Sequence, residues 1–291
     1  MDITLLRLFN QVYTHPLLDA FMISLTTVGL ALLPLLGALL FMKGERERPV
    51  GLAIFATLAA GFVLTLVFWG LSLRPRPEDV RLLLPTPPFP GFPSGHTVAA
   101  FGTAIVIALS YRQPRWWAIA FGGAALIGFS RIYLAHHYPS DVLGGVLLGM
   151  TTGAACYGLI VSEDAYRLRL RWLLWPQIAF MLLVTQMAYL EILPWHLLRW
   201  PFADKVMHFL LFGAIVFWLS MWLGSRAVHW KGYSIPLALL IPFTFAILEE
   251  SLQYFSPVRT LSLSDLLSNL AGMLFFWWLS RTLFVKPPES A

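Results

Sequence analysis

Long apolar runs recurring along the whole chain constrain this sequence more than any other feature. Stretches of roughly 18 to 25 apolar residues occur near 17–42, 50–73, 94–111, 115–134, 140–161, 172–193, 206–224, 234–254 and 264–284. Inside a bilayer every backbone N–H and C=O must find its partner within the segment, so runs of this length read as membrane-crossing helices. The composition agrees. Of the 291 residues 58% are hydrophobic and only 12% charged, and the mean hydropathy of +0.72 is too oily for a soluble domain. The expected fold is all-α, a polytopic membrane bundle of about nine transmembrane helices.

The opening residues, MDITLLRLFNQVYTHP, lack the basic start, continuous apolar centre and small-residue cleavage site of a secretory signal. Leu5, Leu6, Phe9, Val12 and Tyr13 fall on one helical face, which predicts a short helix lying on the membrane surface. The single cysteine, Cys156, has no partner for an internal disulfide. A net charge of +5 suits anionic headgroups. The basic residues are scattered at run ends rather than clustered, so no nucleic-acid partner is expected. If the runs alternate across the bilayer, Lys43, Arg46, Arg48, Arg112, Arg115, Arg167, Arg169, Arg171, Arg226, Lys231, Arg281 and Lys286 fall on one side, twelve in all. The other side holds eight: Arg7, Arg74, Arg76, Arg81, Arg131, Arg199, Lys205 and Arg259. The positive-inside rule puts the twelve in the cytoplasm. The charge-dense stretch SEDAYRLRLR, 162–171, then becomes a cytoplasmic linker between 1–161, with five runs, and 172–291, with four. No internal repeat relates the two parts.

Three polar clusters in the first part share the outer side: LRPRP at 73–77, PSGH at 93–96 and SRIYLAHHYPSD at 130–141. One such cluster has an ordinary explanation, because arginines snorkel to the interface and prolines start helices. Three with complementary chemistry suggest a site. Ser94, Gly95 and His96 open a helix after Pro93, so unpaired N–H groups and the positive dipole end favour an anion there. Arg76 and Arg131 offer planar forks suited to phosphate oxygens. His137 precedes Asp141 by four residues, which lets the carboxylate hold one ring nitrogen while the other attacks. His96 remains as acid for the leaving oxygen. This amounts to phosphoryl transfer without metal or cofactor. The proline-rich loop from Arg74 to Pro93 is expected to be a stiff, extended flap, with Phe89 and Phe92 touching lipid or a substrate tail.

Arg76-Pro77, Pro93-Ser94-Gly95-His96 and Ser130-Arg131-x5-His137-x3-Asp141 resemble the three signature motifs of the type 2 phosphatidic acid phosphatase (PAP2) family, over about residues 50–160. The resemblance implies that His137 forms a phosphohistidine, Asp141 orients it and His96 protonates the leaving group. It also implies that Arg76, Ser94, Gly95 and Arg131 bind the phosphoryl oxygens, and that the substrate is a membrane lipid phosphate such as undecaprenyl diphosphate, phosphatidic acid or phosphatidylglycerol phosphate. Motif register selects His137 over its neighbour His136. One departure stands out: the family's first motif begins with lysine seven residues before the arginine, and that position here is Trp69. Arg74 is the nearby residue that can supply the missing charge. A contact of that kind is worth roughly 2 to 4 kcal/mol, so binding without turnover is the rival expectation, with phosphate transfer to another hydroxyl as a third.

The second part carries its own polar set: Asp204, Lys205 and His208; Glu249, Glu250 and Gln253; Arg259; Asp265 and Asn269. The pairs Asp204 with His208, Glu249 with Gln253 and Asp265 with Asn269 have i,i+4 spacing and share helix faces. DKVMHFLLFG followed by EESLQYFSPVRTLSLSDLLSNLAG is similar to the VanZ-like family of bacterial membrane proteins, over about 200–280. Two readings stand side by side: a second site, or hydrogen bonds that clamp three helices together. The paired glutamates alone suggest an intramembrane protease, but the arginine four residues after Glu250 and the second histidine that such an enzyme needs are absent. Together the two resemblances imply a bacterial cytoplasmic-membrane enzyme whose site faces the periplasm or exterior. No protein partner is indicated.

Overall fold

A computed structural model describes residues 2–164, 166–189, 191–192, 202–253 and 262–284. The chain forms two compact units, Met1–Ser162 and Glu163–Ala291. The first contains α1 (Asp2–Arg7), a π-helical turn (Leu8–Val12), α2 (Pro16–Lys43), α3 (Arg48–Ser72), α4 (Gly95–Tyr111), α5 (Pro114–Tyr133) and α6 (Pro139–Ile160). The second contains α7 (Tyr166–Arg169), a 3-10 turn (Leu170–Leu173), α8 (Leu174–Tyr189), α9 (Ala203–Leu223), a hairpin of β1 (Ala227–Trp230) and β2 (Tyr233–Pro236), α10 (Leu237–Gln253) and α11 (Leu263–Phe284). Among the described residues each apolar run falls mainly on a helix, although the one expected at 234–254 begins on β2. Among the described residues five helical stretches are long and apolar enough to cross a membrane: α2, α3, α6, Leu170–Tyr189 and α9. The other four long helices are shorter or less apolar. The fold is a multi-pass helical membrane bundle.

Glycine spacing sets the first unit's geometry. Gly145, Gly149 and Gly153 repeat every four residues on one face of α6, where a Cβ would lie 2.8 Å from the Ser94 carbonyl oxygen, 2.4 Å from that of Val98 and 2.3 Å from that of Gly102. The backbones of α4 and α6 therefore touch, as small-residue stripes allow between apolar helices. The start of α4 is thereby locked against the start of α6: the Ser94 N–H donates to the Asp141 carbonyl at 3.0 Å. The N-terminal ends of two sequence-distant helices thus meet at one point.

Three features differ from expectation. Leu8–Val12 winds as a π-turn, so the single apolar stripe breaks: Leu6 is fully buried, whereas Val12 and Tyr13 are exposed. Asn10 turns inward instead, donating to the carbonyls of Arg81 (2.9 Å) and Tyr133 (2.8 Å) and accepting the Arg81 N–H. The flap is extended as expected, but it is tied down by the bidentate pair of Arg81 with Asp19 and by the Tyr133 hydroxyl donating to Asp19. Phe92 is fully buried, edge-on to Phe68, and touches no lipid; Phe89 is exposed. In the second unit a hairpin precedes α10. Its turn residues, Lys231 and Gly232, both have positive φ, and that dipeptide between AVHW and YSIP was the available signal.

Candidate active site

The site is built from the end of α5, the starts of α4 and α6, and the flap. α5 closes with Ala135 at φ +55, which folds the chain back so that the N–H groups of His136 and His137 both donate to the Arg131 carbonyl. Pro139 then starts α6, and Asp141, in its first turn, accepts the Tyr138 N–H at 2.9 Å. A helix stop and a helix start separated by five residues thus place Arg131, His137 and Asp141 together.

His137 is 2% exposed. Its Nδ1 lies 2.7 Å from the Gly91 carbonyl oxygen and 3.7 Å from Asp141 Oδ2. A carbonyl only accepts, so Nδ1 carries the proton and Nε2 is the unprotonated nitrogen, accepting from Arg76 Nη1 at 3.3 Å. The expected orienting carboxylate is therefore present, but the flap's Gly91 carbonyl makes the shorter contact. Gly91 is closely packed: an added Cβ would sit 3.3 Å from Asp141 Oδ2, with the Pro75 and Arg74 carbonyl oxygens at 3.4 and 3.5 Å. Burial pushes the His137 imidazole down to about 4, with the Arg131 charge adding to the effect and Asp141 opposing it. At neutral pH the ring is uncharged, the state a nucleophile requires.

Arg76 is held as a fork by backbone. Its Nε donates to the Phe89 carbonyl (2.8 Å) and Nη1 to that of His136 (2.6 Å), leaving the guanidinium beside His137. It also borders an open pocket of about 440 Å³ within the flap, between Asp79, Leu82, Thr86 and Phe89. Arg131, 3% exposed, donates to Thr26 Oγ1 from Nη1 and to His136 Nδ1 from Nη2 at 2.6 Å, while its Nε is buried without a hydrogen-bond partner among the described residues. His136 Nε2 faces the Leu84 carbonyl. Burial and the Arg131 charge push the His136 imidazole down to about 4, so it accepts from the arginine as a neutral ring. His136 is thus a support for Arg131, which motif register did not show.

Ser94 is fully buried, with Oγ accepting from Thr97 Oγ1 at 3.0 Å and its own N–H spent on Asp141. The anion-facing N–H groups at this end are consequently those of Gly95 and His96. The His96 ring lies within electrostatic reach of Arg131, His137, His136 and Arg76. Arg74 is placed differently from the spare phosphate contact its position suggested: Nη1 binds Asp141 Oδ1 (2.6 Å) and Ser140 Oγ (2.7 Å), and Nη2 binds Asp2 Oδ2 (2.9 Å). Trp69, at the lysine position, donates from Nε1 to the Pro93 carbonyl (3.1 Å) and stacks on Phe89 at 5.4 Å with an 8° tilt. The indole therefore braces both the PSGH turn and the flap carbonyl that holds Arg76. Asp2, Thr26, Gly91 and Ser140 carried no local signal.

In the second unit α9, α10 and α11 gather the other polar set. Lys205 bridges Asp204 (2.7 Å) and Asp265. His208 reaches across to α11, with Nδ1 3.1 Å from Asn269 Oδ1 and Nε2 3.6 Å from Asp265 Oδ2, rather than pairing with Asp204 on its own helix. Gln253 donates to Glu249 at 2.8 Å, and Glu250 accepts the Ser262 N–H. Glu250 Oε2 and Asn269 Nδ2 are buried without a partner among the described residues. Arg259 lies outside the described residues. Among those residues no three or more His, Cys, Asp or Glu side chains gather as metal ligands.

Comparison with known proteins follows the same division. A PAP2 superfamily model matches residues 46–163, and a VanZ/LLP1 model matches 150–285. An undecaprenyl-diphosphatase of Bacillus subtilis is 33% identical over 48% of this chain and 73% of its own length. An undecaprenyl-diphosphatase of Sulfolobus acidocaldarius is 32% identical over 48% of this chain and 68% of its own. A phosphatidylglycerophosphatase B of Bacillus subtilis is 33% identical over 47% and 72%. With these relatives matched over most of their length by its first half, and a VanZ/LLP1 region making up its second, the chain belongs to the PAP2 superfamily.

Proposed function

We propose that this membrane phosphatase removes phosphate from a polyprenyl diphosphate, undecaprenyl diphosphate first among the candidates, through a phosphohistidine at His137. The observation that carries the reading is the convergence of His137, Arg76, Arg131 and the start of α4 on one buried point, with His96 in electrostatic reach. His137 Nε2 attacks phosphorus as the bond to the leaving oxygen breaks, and His96 gives that oxygen its proton. Water then attacks phosphorus as the P–Nε2 bond breaks, His96 takes the water's proton, and free phosphate leaves a neutral His137. Arg76, Arg131 and the N–H groups of Gly95 and His96 stabilise charge building on the phosphoryl oxygens. The resemblance to two undecaprenyl-diphosphatases favours the diphosphate; phosphatidic acid and phosphatidylglycerol phosphate complete the test panel.

On this reading residues 1–161 are the phosphatase module, 162–171 a cytoplasmic linker and 172–291 a VanZ-like module. The Lys and Arg asymmetry supports a site facing the periplasm or exterior of a bacterial cytoplasmic membrane. The histidine and the cations supply what a metal would otherwise provide. Purified protein should therefore release phosphate from undecaprenyl diphosphate with EDTA present, and loss of activity to the chelator would overturn the mechanism.

A lipid-phosphate binder with impaired turnover is the second reading, and Trp69 favours it. Trp69→Lys separates the two. The lysine would bring a charge contact worth roughly 2 to 4 kcal/mol. It would remove a hydrogen bond and a ring stack worth about 1 kcal/mol each. For a working phosphatase these offset to within about 2 kcal/mol, so hydrolysis should change by less than about thirtyfold. A much larger gain would mark a site kept for binding.

A further inference from the structure

We propose that Asp2, at the opposite end of the unit's sequence from the reaction centre, is a positioning residue for phosphoryl transfer, acting through Arg74 and Ser140 on Asp141 and so on His137. The inference rests on the functional reading above. Asp2 and Asp141 are joined by one guanidinium: Arg74 Nη2 on Asp2 Oδ2 at 2.9 Å, Nη1 on Asp141 Oδ1 at 2.6 Å. Ser140 closes the ring, its N–H donating to Asp2 Oδ1 at 3.0 Å and its hydroxyl to Asp2 Oδ2, while Arg74 Nη1 donates to that hydroxyl. Tyr138 lies under the guanidinium, 4.6 Å from ring centroid to Arg74 Cζ. Arg74 and Asp141 are deeply buried, with side chains 12% and 0% exposed, so the pair is sensitive to any change in its partners.

Two consequences follow for the chemistry. Asp2 caps the first turn of α6 at Ser140, next to Asp141, which fixes where the carboxylate points. Asp2 also takes a share of the Arg74 charge. Asp141 then keeps negative charge on Oδ2, the oxygen 3.7 Å from His137 Nδ1, at the moment the ring becomes cationic by bonding phosphorus through Nε2. With Asp2 neutral, Arg74 would neutralise Asp141 alone, and the transition state would lose that support while ground-state binding at Arg76 and Arg131 stayed intact. The groups in direct contact with the Asp141 side chain are Arg74, His137 and the Tyr138 N–H; Arg76 acts on it only at longer electrostatic range, so Arg74 is the cation in contact with it among the described residues and Asp2 sets that cation's balance.

The test uses the full chain in detergent, with undecaprenyl diphosphate as the probe. Asp2→Asn should lower kcat about tenfold with KM within about twofold, and Asp2→Glu should restore most of the loss. Arg74→Lys cannot bridge both carboxylates, so the double variant Asp2→Asn/Arg74→Lys should be no worse than Arg74→Lys alone within about twofold. An unchanged kcat in Asp2→Asn, a KM effect without a kcat effect, or additive losses would each overturn the proposal. If Asp2→Asn does not fold, Ser140→Ala carries the test: kcat should fall about threefold, and an unchanged value overturns the proposal. His137→Ala is the reference. An active His137→Ala would sink the functional reading itself, whereas a dead one with unaltered Asp2→Asn sinks this inference alone.

Discussion

The two units face the same difficulty, polar side chains among apolar helices, and meet it differently. In the first, Arg74, Arg76, His136, His137 and Asp141 each have two or more close partners, many of them backbone carbonyls that cannot move without the fold. In the second, Lys205 and His208 are matched across α9 and α11, yet Glu250 Oε2 and Asn269 Nδ2 are buried without partners among the described residues. Arg131 is the exception at the first site, its Nε buried without a partner among the described residues; the dense pairing around it still rigidifies a network, and a rigid network can hold reacting atoms in register. Incomplete pairing lowers the worth of a polar group as glue. The difference agrees with the chemistry proposed for the first unit and leaves the second as a cluster in which Glu250 Oε2 and Asn269 Nδ2 are unmatched among the described residues.

The most severe way to break that contrast is to remove His137. In full-length protein His137→Ala should cut phosphate release by about a thousandfold or more, because on the proposed mechanism that ring forms the bond to phosphorus and is not one of several interchangeable contacts. Hydrolysis that stays within tenfold would move the chemistry elsewhere, and the second unit's histidine and carboxylates would become the next suspects.

How much of this was readable in advance depended on distance along the chain. Arg131, His137 and Asp141 fall within one helix stop and start, so their spacing alone placed them together. The meeting of PSGH with that segment needed the α4 and α6 contact, for which the Gly145, Gly149, Gly153 spacing is a signal in the sequence. Arg74 shows where reading by spacing fails. A free arginine near a phosphate motif suggests a phosphate contact, but its partner Asp2 lies 72 positions away and in a segment whose apolar residues pointed to a surface helix. Gly91 was hidden for another reason: its carbonyl does the work, and backbone has no residue-specific pattern. The Leu8–Val12 π-turn breaks the 3.6-residue period on which facial arguments rest. In the second unit the i,i+4 rule succeeded for Glu249 with Gln253 and failed for Asp204 with His208, because partners across α11 were available to the histidine.

Glycine contacts sharpen the comparison at a smaller scale. Gly149 of α6 and Gly272 of α11 are equivalent in packing: an added Cβ would meet the Val98 carbonyl oxygen at 2.4 Å and that of Phe209 at 2.1 Å. Either alanine substitution should destabilise its own unit by about 1 to 3 kcal/mol through overpacking. Only Gly149→Ala should also affect hydrolysis. Prising α6 from α4 shifts Asp141 and His137 relative to Ser94, and a displacement near 1 Å can cost about a hundredfold. Equal activity losses in Gly149→Ala and Gly272→Ala would mean that the second unit shapes the site as well.

Acid titration should separate the units without any substitution. His136 and His137 are both pushed from an ordinary 6.5 to about 4, chiefly by burial. Between those values an unfolded chain binds protons that the folded one refuses, so stability is fully present above pH 6.5 and declines as pH falls toward 4. Melting of the purified protein should shift down across that window, and hydrogen exchange should place the loosening at 130–141. A flat profile would mean that the two rings are protonated in the native state, contrary to the roles proposed for them as acceptor and nucleophile.

The smallest effect concerns the unpaired carboxylate. Glu250→Gln keeps an oxygen to accept the Ser262 N–H and replaces the partnerless Oε2 with a neutral amide. Burying a charge without compensation is costly, so the neutral isostere should leave the melting temperature unchanged or raise it by about 2 °C, near the shift that 1 kcal/mol gives a chain of this size. The same exchange at Asp141, whose two oxygens are both engaged by donors, should lower it. A fall of more than about 5 °C for Glu250→Gln would show that Oε2 meets a cation from outside the described residues, Arg259 being the nearest in sequence. Glu250 would then be paired on both oxygens as Asp141 is, and the second unit's polar set would read as a clamp on three helices.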